Sequence, residues 1–393
     1  MEGDRTVRDR AWVILFCVGV AGLILTFWLA RFTAQAANER LEQRFEIAAR
    51  ERAASIVEEF RIPIEQLFSV RRLFDSVGGV EREVFESFSE PIMRRYGVRG
   101  IRWAPYIQAD ERDDFERNGK RLWGHDFSIL DHDAEGVFFR AGTRSQYFPV
   151  LYALPRAETR KSIGLDLYAH HERGEVLMQA IEQGQAVASE VGQSIGDGLH
   201  FDEIVAIALP VYRAGQRPEQ REARLREVRG VLVGLLDIGA LFDSANAKGA
   251  NHGLRTVLFD HASPTIPIRS WQAEGSAAAE LPSAGVLTHT QSFELANRLW
   301  MVRIVAEPAW IQANSTRSME VVVLSGFCLT ALMLVGLNWL LRRSRRVTTL
   351  ETELELGQAR QQAAEDWAKK LSLAVEQNPA SIIITDIDGK IEF

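Results

Sequence analysis

Few residues in this 393-residue chain have the types and spacing for chemistry. "HHE" (His170–Glu172) offers two imidazoles and a carboxylate. Consecutive side chains on a helix point about 100° apart, so the two rings do not readily face one ion. Asp131-His132-Asp133 reads as a solvated turn. Asp166 and Arg173 lie about two helical turns apart near a helix start, where they can pair or cap. The glycine-rich "GQSIGDG" (Gly192–Gly198) falls between a helix and a strand. That is the wrong order for a phosphate-cradling loop, which follows a strand and opens a helix. Gly192–Gly196 has the G-x-S-x-G form, but it falls between a helix and a strand rather than on the strand-to-helix turn of a nucleophile elbow, and Walker, H-E-x-x-H and C-x-x-C motifs do not occur in the sequence. No catalytic set, metal site or cofactor is therefore predicted, and binding is the chemistry left. Leu177 stands on an apolar helical stripe with Val176 and Ile181, a pattern of ordinary core. Ser189 carries a hydroxyl that donates or accepts, or simply turns the chain after Gly184. Trp103 and Tyr106 alternate with Ala104 and Ile107 along a strand, which makes Trp103 a core residue or a ligand platform.

The elements that must position these residues follow from periodicity. "GIRWAPYI" (Gly100–Ile107), "EIVAIALPVYR" (Glu203–Arg213) and "RGVLVGLLDI" (Arg229–Ile238) read as strands. So do "FSIL", "GVFFRA", "QYFPVLYALP", "GLRTVLFDHAS" and "RLWMVRIVAEP". "DERDDFERNGKRL" (Asp110–Leu122) reads as a helix capped by its Asp, and "HHERGEVLMQAIEQG" as one closed by Gly184. "RPEQREARLRE" is a charged, solvated excursion. Ahead of these, Leu41, Phe45, Ala49, Ile56 and Phe60 recur at helical spacing, and Pro63 should kink or end that helix. Helical spacing resumes through Leu67, Val70 and Phe74, and a further helix covers Glu81–Tyr96. The mixture predicts an α+β class, antiparallel sheets with helices to one side.

Two uncharged apolar runs, Ala11–Ala30 and Val321–Leu341, are each long enough to cross a bilayer. Arg5, Arg8 and Arg10 precede the first and "RRSRR" (Arg342–Arg346) follows the second. By the positive-inside rule both ends are cytoplasmic and the long middle segment is outside. Net charge is −7, against nucleic acid as a partner. The only cysteines, Cys17 and Cys328, fall inside the apolar runs, so the outer segment has no disulfide framework. Beyond the second run, Val347, Leu350, Leu354, Ala364, Ala368, Leu371 and Val375 form a heptad seam, with weak points at Gly357 and Gln361. That predicts a parallel coiled coil and a homodimer. "SIIITDIDGKIEF" (Ser381–Phe393) then reads as strand, Asp-Gly turn and strand.

Two stretches carry a family resemblance. "LAVEQNPASIIITDIDGKIEF" resembles the start of a PAS domain, which implies that the chain stops inside one, with the output beyond it. "GIRWAPYIQADERDDFE", "YFPVLYALP", "IGLDLYAHHERGEVLMQAIEQGQAVAS" and "IALPVY", in that order, resemble a CHASE domain, an extracytoplasmic sensor. The resemblance implies a long stalk helix carrying two PAS-like modules, the membrane-distal one binding a small ligand. It places Leu177 and Ser189 in the pocket. Where plant receptors of the family carry a ring-binding Asp, Tyr147, Phe148 or Pro149 stands nearest, none acidic, and Trp103 is added as a platform. The organisation implied is a cytoplasmic tail (1–10), first transmembrane helix (11–30), stalk helices (31–99), distal module (100–238) and proximal module (239–318). The second transmembrane helix (319–341), coiled coil (342–376) and truncated PAS start (377–393) follow. The function implied is an inner-membrane receptor with two spans, a periplasmic sensor and a histidine-kinase output. A cyclic-di-GMP cyclase or phosphodiesterase is the alternative, and a non-enzymatic membrane-anchored binding protein a further one.

Overall fold

The computed structural model describes residues 2–95, 97–123, 127–133, 136–155, 160–169, 171–192, 203–213, 215–248, 253–271, 286–316, 318–376 and 388. It divides into two compact units, Arg40–Ser315 and a second made of Met1–Glu39 with Thr316–Phe393.

The spine of the central unit is helix α1 (Glu2–Ser76) from Arg40 onward. Ala49, Ala53, Ile56, Phe60, Leu67 and Phe74, three to seven apart on one stripe, are all fully or almost fully buried. The helix runs unbroken through Pro63, contrary to the sequence expectation. A proline inside a helix costs about 3 kcal/mol. Phe60 and Ile64 flank it and are both buried, so the packing of the stripe outweighs the lost hydrogen bond. Helix α2 (Arg82–Arg95) follows, within the Glu81–Tyr96 segment expected. Its Phe85 meets the rings of Phe74 and Tyr152 at 6.1 and 5.6 Å.

Strands β1 (Val98–Pro105) and β2 (Ile107–Gln108) lead into α3 (Arg112–Trp123). Asp110 does not cap α3. A 3-10 turn, Ala109–Glu111, intervenes, and the Glu111 carboxylate accepts the Gln108 N–H at 3.0 Å. Then come β3 (Leu130–His132), β4 (Phe138–Arg140), β5 (Gln146–Tyr147), β6 (Tyr152–Leu154), α4 (His171–Gln183), β7 (Val187–Ala188) and β8 (Ile204–Tyr212). Helix α5 (Arg221–Glu227) connects β8 to β9 (Val228–Asp237). The main sheet has the order β6-β1-β9-β8-β7, antiparallel throughout.

Because side chains alternate across a strand, this sheet has two packed faces. Ile101, Trp103, Leu232 and Leu236 face the core shared with α1, while Ala104, Val231, Val233 and Leu235 face the core under α4. That explains why β9 is a continuous apolar run: it is covered on both sides. Gly234 sits where a Cβ would come 2.2 Å from Leu67 Cδ1, so the missing side chain lets α1 approach the strand.

Past β9, Asp237 caps α6 (Ile238–Ala247) through the Ala240 N–H. A second antiparallel sheet of order β11-β10-β13-β12 follows, from β10 (Leu254–Asp260), β11 (Pro267–Trp271), β12 (Thr288–Leu295) and β13 (Arg298–Ala306). Helix α7 (Pro308–Asn314) ends the unit, with Trp310 set edge-on against Phe45 at 5.7 Å. A buried Arg52 ties α1 to this part. It donates to the Ala245 and Asn246 carbonyls, at the C-terminal end of α6 where helix dipoles favour a cation, and to Asn246 Oδ1.

The second unit contains the start of α1 and helix α8 (Ser318–Glu376). Two stretches in it are long and apolar enough to cross a membrane. Each presents large exposed apolar groups, among them Phe16, Phe27, Trp28, Phe327 and Leu332. The helices meet through an antiparallel exchange of small residues. A Cβ at Gly22 would fall 2.7 Å from Thr330, and one at Gly326 would fall within contact of Thr26. Such small-residue pairs let helix backbones come close where no hydrophobic drive exists. Cys17 and Cys328 are free. The Ser381–Phe393 hairpin lies outside the described residues, Asp388 excepted, as do most of "GQSIGDG" and His170.

Candidate functional site

The face of the main sheet turned away from α1 holds a small cavity. Its floor is Ala206, Ala208 and Val233. Ala208 and Val233 are directly paired across β8 and β9. Two alanines and a valine under a helix leave space that larger side chains would fill, which is the physical origin of the cavity. Its roof is one face of α4, Arg173, Val176 and Leu177, three and four residues apart as helical neighbours must be. Leu167 and Ser189 complete it. The volume is about 30 Å³, room for roughly two waters.

Helix α4 is fixed over this floor at both ends. At its C-terminus Gly184 takes φ +67° and donates to the Ala180 carbonyl at 2.8 Å. The carbonyls left over are met from outside the helix. Tyr212 OH donates to Ile181 O at 2.8 Å, and Arg224 Nε to Glu182 O at 2.6 Å. Burial pushes the Tyr212 phenol up to about 12. Arg224 is buried although its stretch reads as a solvated charged excursion. Its charge satisfies carbonyls of α4 and of Pro218 and Glu219. Sequence alone shows no sign of this, because the partners lie far off in the chain.

At the other end Arg173 donates to His132 Nε2 at 2.5 Å. His132 Nδ1 lies 2.8 Å from the Asp133 carbonyl, which can only accept. With Nδ1 donating to that carbonyl, Nε2 is the acceptor that meets the guanidinium. Asp131-His132-Asp133 is thus not a solvated turn. It forms the end of β3 and its run-out, with Asp131 buried. Asp131 pairs with Arg144 at 2.5 Å, and Arg144 also reaches Asp166 at 3.1 Å. Asp166 is fully buried and accepts the Phe148 and Tyr168 N–H groups at 2.8 and 3.1 Å. Burial dominates and holds its carboxyl above the ordinary range, although these N–H groups and Arg144 work against it. Asp166 is engaged by Arg144 rather than by Arg173, the partner suggested by spacing. This network holds the loop carrying Leu167 against the sheet.

The structure thus brings Leu177 and Ser189 together and places the other four candidates elsewhere. Ser189 is 4% exposed, donates to the Glu190 carbonyl at 2.8 Å and accepts the Ala206 N–H at 3.0 Å. Its donor is committed to the chain, and only acceptor capacity remains. Tyr147 is fully buried, and its hydroxyl takes the Arg144 N–H at 2.7 Å and donates to the Gly142 carbonyl at 3.0 Å. Phe148 lies between the rings of Tyr106 and Tyr168 at 5.4 and 6.1 Å. Pro149 bridges to Asp166. Trp103 is on the opposite face of the sheet, stacked on Phe74 of α1 at 4.2 Å. Strand alternation forces this: with Ala104 toward α4, Trp103 must turn toward α1. Arg173 and His132 are the site residues that a reading by type and spacing misplaces. The one usable signal is Arg173's position four residues before Leu177. His171 pairs instead with Glu175 at 3.0 Å on an exposed surface. Among the described residues no group of three or more His, Cys, Asp or Glu is placed to hold a metal ion.

The arrangement is an antiparallel sheet with a small apolar cavity under one helix, bordered by a few polar groups. Residues 78–269 match the family model of the CHASE domain. No curated protein matches the sequence. Among solved structures, the chain is similar to an extracellular ligand-binding receptor from Desulfohalobium retbaense at 11% identity and a TM-score of 0.41, covering 67% of this chain and 40% of that one. It is also similar to the ligand-binding domain of the Pseudomonas aeruginosa amino-acid chemoreceptor PctC in complex with GABA, at 14% identity and 0.34, covering 67% and 100%. A third is the periplasmic sensory domain of the Campylobacter jejuni chemoreceptor Tlp1, at 12% identity and 0.37, covering 70% and 96%. At these scores the likeness is loose.

Proposed function

We propose that this chain is the sensory part of a membrane receptor. The CHASE segment faces outside, binds a small ligand in the cavity under α4, and passes the bound state inward. The two sheets serve as PAS-like modules on the stalk, the main one distal and the second proximal to the membrane. The heptad seam of α8 pairs with a second copy, and Leu354 and Leu371 stand exposed for it. A PAS domain and then a histidine kinase are the expected destination. The observation that carries the reading is the cavity itself, closed over by Leu177 inside the stretch matched to the family. A ligand can shift the receptor only by binding one arrangement more tightly than another. Helix α4 is the element placed to report it, since it roofs the cavity and is tethered at both ends.

Leu177→Arg tests this. A buried, unpaired guanidinium fills the cavity and excludes an apolar ligand. The full chain in lipid nanodiscs is screened by thermal shift against small organic acids, amides and purines. The expected result is a compound that stabilises the native chain and not Leu177→Arg, with circular dichroism unchanged. Equal stabilisation of both proteins places binding outside this cavity.

A further inference from the structure

Two parts of the cavity lead to one spot on the second sheet. The roof helix α4 ends at Gln183, and the wall residue Ser189 directly follows β7. Both meet the tight turn Ala296-Asn297, which joins β12 to β13. Resting on the site proposed above, we infer that this turn is the contact through which the second sheet follows the state of the cavity. Three observations carry this.

The wall contact is a backbone bond. β7 is an edge strand of the main sheet. The Ser189 N–H donates to the Ala206 carbonyl on β8, so by antiparallel alternation the Ala188 N–H points to the open edge. There it donates to the Ala296 carbonyl at 2.8 Å. Ala186, Ala188 and Leu295 are buried in one core, and Ala296 packs against it. A displacement of β7 by an occupant under α4 is therefore felt at the turn.

The roof contact is a side-chain bond. Asn297 Nδ2 donates at 2.7 Å to the Oε1 of Gln183, the last residue of α4. Arg298, next in the chain, lies 3.7 Å from Glu190 beyond β7 and pairs with Asp260 of β10. β13 starts here and leads in sequence through α7 to α8.

The turn is also held from outside rather than by its own sequence. Ala296 and Asn297 both take positive φ, +49° and +59°. Two-residue hairpins of this kind favour Asn or Gly first and Gly second. Asn tolerates the left-handed region, and Ala does so poorly. A turn kept in an unfavoured conformation by contacts with the cavity wall and roof responds when those contacts move. A cover for the edge of β7 would need the backbone bond alone.

The test is hydrogen exchange read by mass spectrometry on the full chain in nanodiscs, with the cavity filled from its own floor instead of by a ligand. Ala208→Val adds two methyl groups under α4, and Ala206→Val takes its place if the first variant loses its circular dichroism. Filling the floor is expected to change exchange across residues 294–300 by about 2- to 10-fold, the worth of one hydrogen bond. Gln183→Ala with Asn297→Gly removes the side-chain bond and keeps the turn, since glycine accepts positive φ. Ala188→Pro removes the backbone donor at a position that gives none to β8. With all three substitutions, residues 294–300 should respond to floor filling by less than about 1.5-fold, while α4 still responds. Where Ala188→Pro does not fold, the other two alone should cut the response by about half. The inference is overturned if filling the floor leaves residues 294–300 exchanging as in the native chain, or if their response survives at full size with the contacts removed. No ligand enters the experiment. Its failure therefore leaves the ligand reading to the thermal-shift screen, and failure of that screen leaves the contact standing.

Discussion

At the scale of single residues, the site is governed by groups whose partners lie far away in sequence. Leu177 was legible because an apolar stripe at helical spacing together with the family likeness singles it out. Arg173, His132 and Tyr212 were not, because each owes its role to a contact between separate elements. Tyr212 shows what such a contact does. Its hydroxyl reaches the carbonyl of Ile181 from a buried position, so ionising it costs desolvation as well as the hydrogen bond. The folded-state pKa, about 12, lies above the unfolded value of about 10. With the folded value raised, the phenol's contribution to stability is complete below pH 10 and disappears as pH rises through 12. Two units correspond to about 3 kcal/mol at most. Absorbance at the phenolate band should show one tyrosine resisting ionisation until about pH 12, and Tyr212→Phe should remove that step from the titration. A native chain whose tyrosines all titrate near the ordinary value contradicts the burial described here.

At the scale of elements, the sequence was most legible where one periodicity is kept for long. The α1 stripe, the Gly184 stop and the apolar β9 strand are all readable, because core burial imposes periods of 3.6 and 2 directly on the sequence. Pro63 misled, since local propensity is outweighed by burial on both sides. Tetherings such as Arg224 on α4 left no periodic trace. The contact of α1 with the sheet offers a quantitative check. Gly234 admits Leu67, and a methyl group there collides with Leu67 Cδ1 at 2.2 Å, both residues lying in the shared core. Gly234→Ala should therefore overpack the interface by about 1–3 kcal/mol, lowering the melting temperature of the full chain by roughly 3–10 °C. In a Leu67→Ala background the cavity accepts the methyl group, and most of that penalty should vanish. A penalty of equal size in both backgrounds would mean that α1 does not seat on β9 at this point.

At the scale of the whole molecule, the receptor reading requires that residues 40–315 and the helix beyond Arg342 face opposite sides of a membrane. The argument for this is physical. Both candidate spans carry exposed aromatic and aliphatic side chains that water would not tolerate as contiguous surface, and arginines flank their proposed cytoplasmic ends. The native thiols help, because Cys17 and Cys328 are free and lie within the two apolar runs, where lipid would shield them from a membrane-impermeant maleimide. With both replaced by alanine, single cysteines at two exposed positions report the sides separately. Asp113→Cys on α3 reads the sensor unit, and Gln358→Cys reads α8 beyond the arginines. In spheroplasts the first should label at once and the second only after permeabilisation, while the native chain stays unlabelled throughout. Labelling of both positions from the same side would put the CHASE segment and the heptad seam in one compartment. A ligand bound under α4 could then not be an external signal, and the cavity would need a cytoplasmic role.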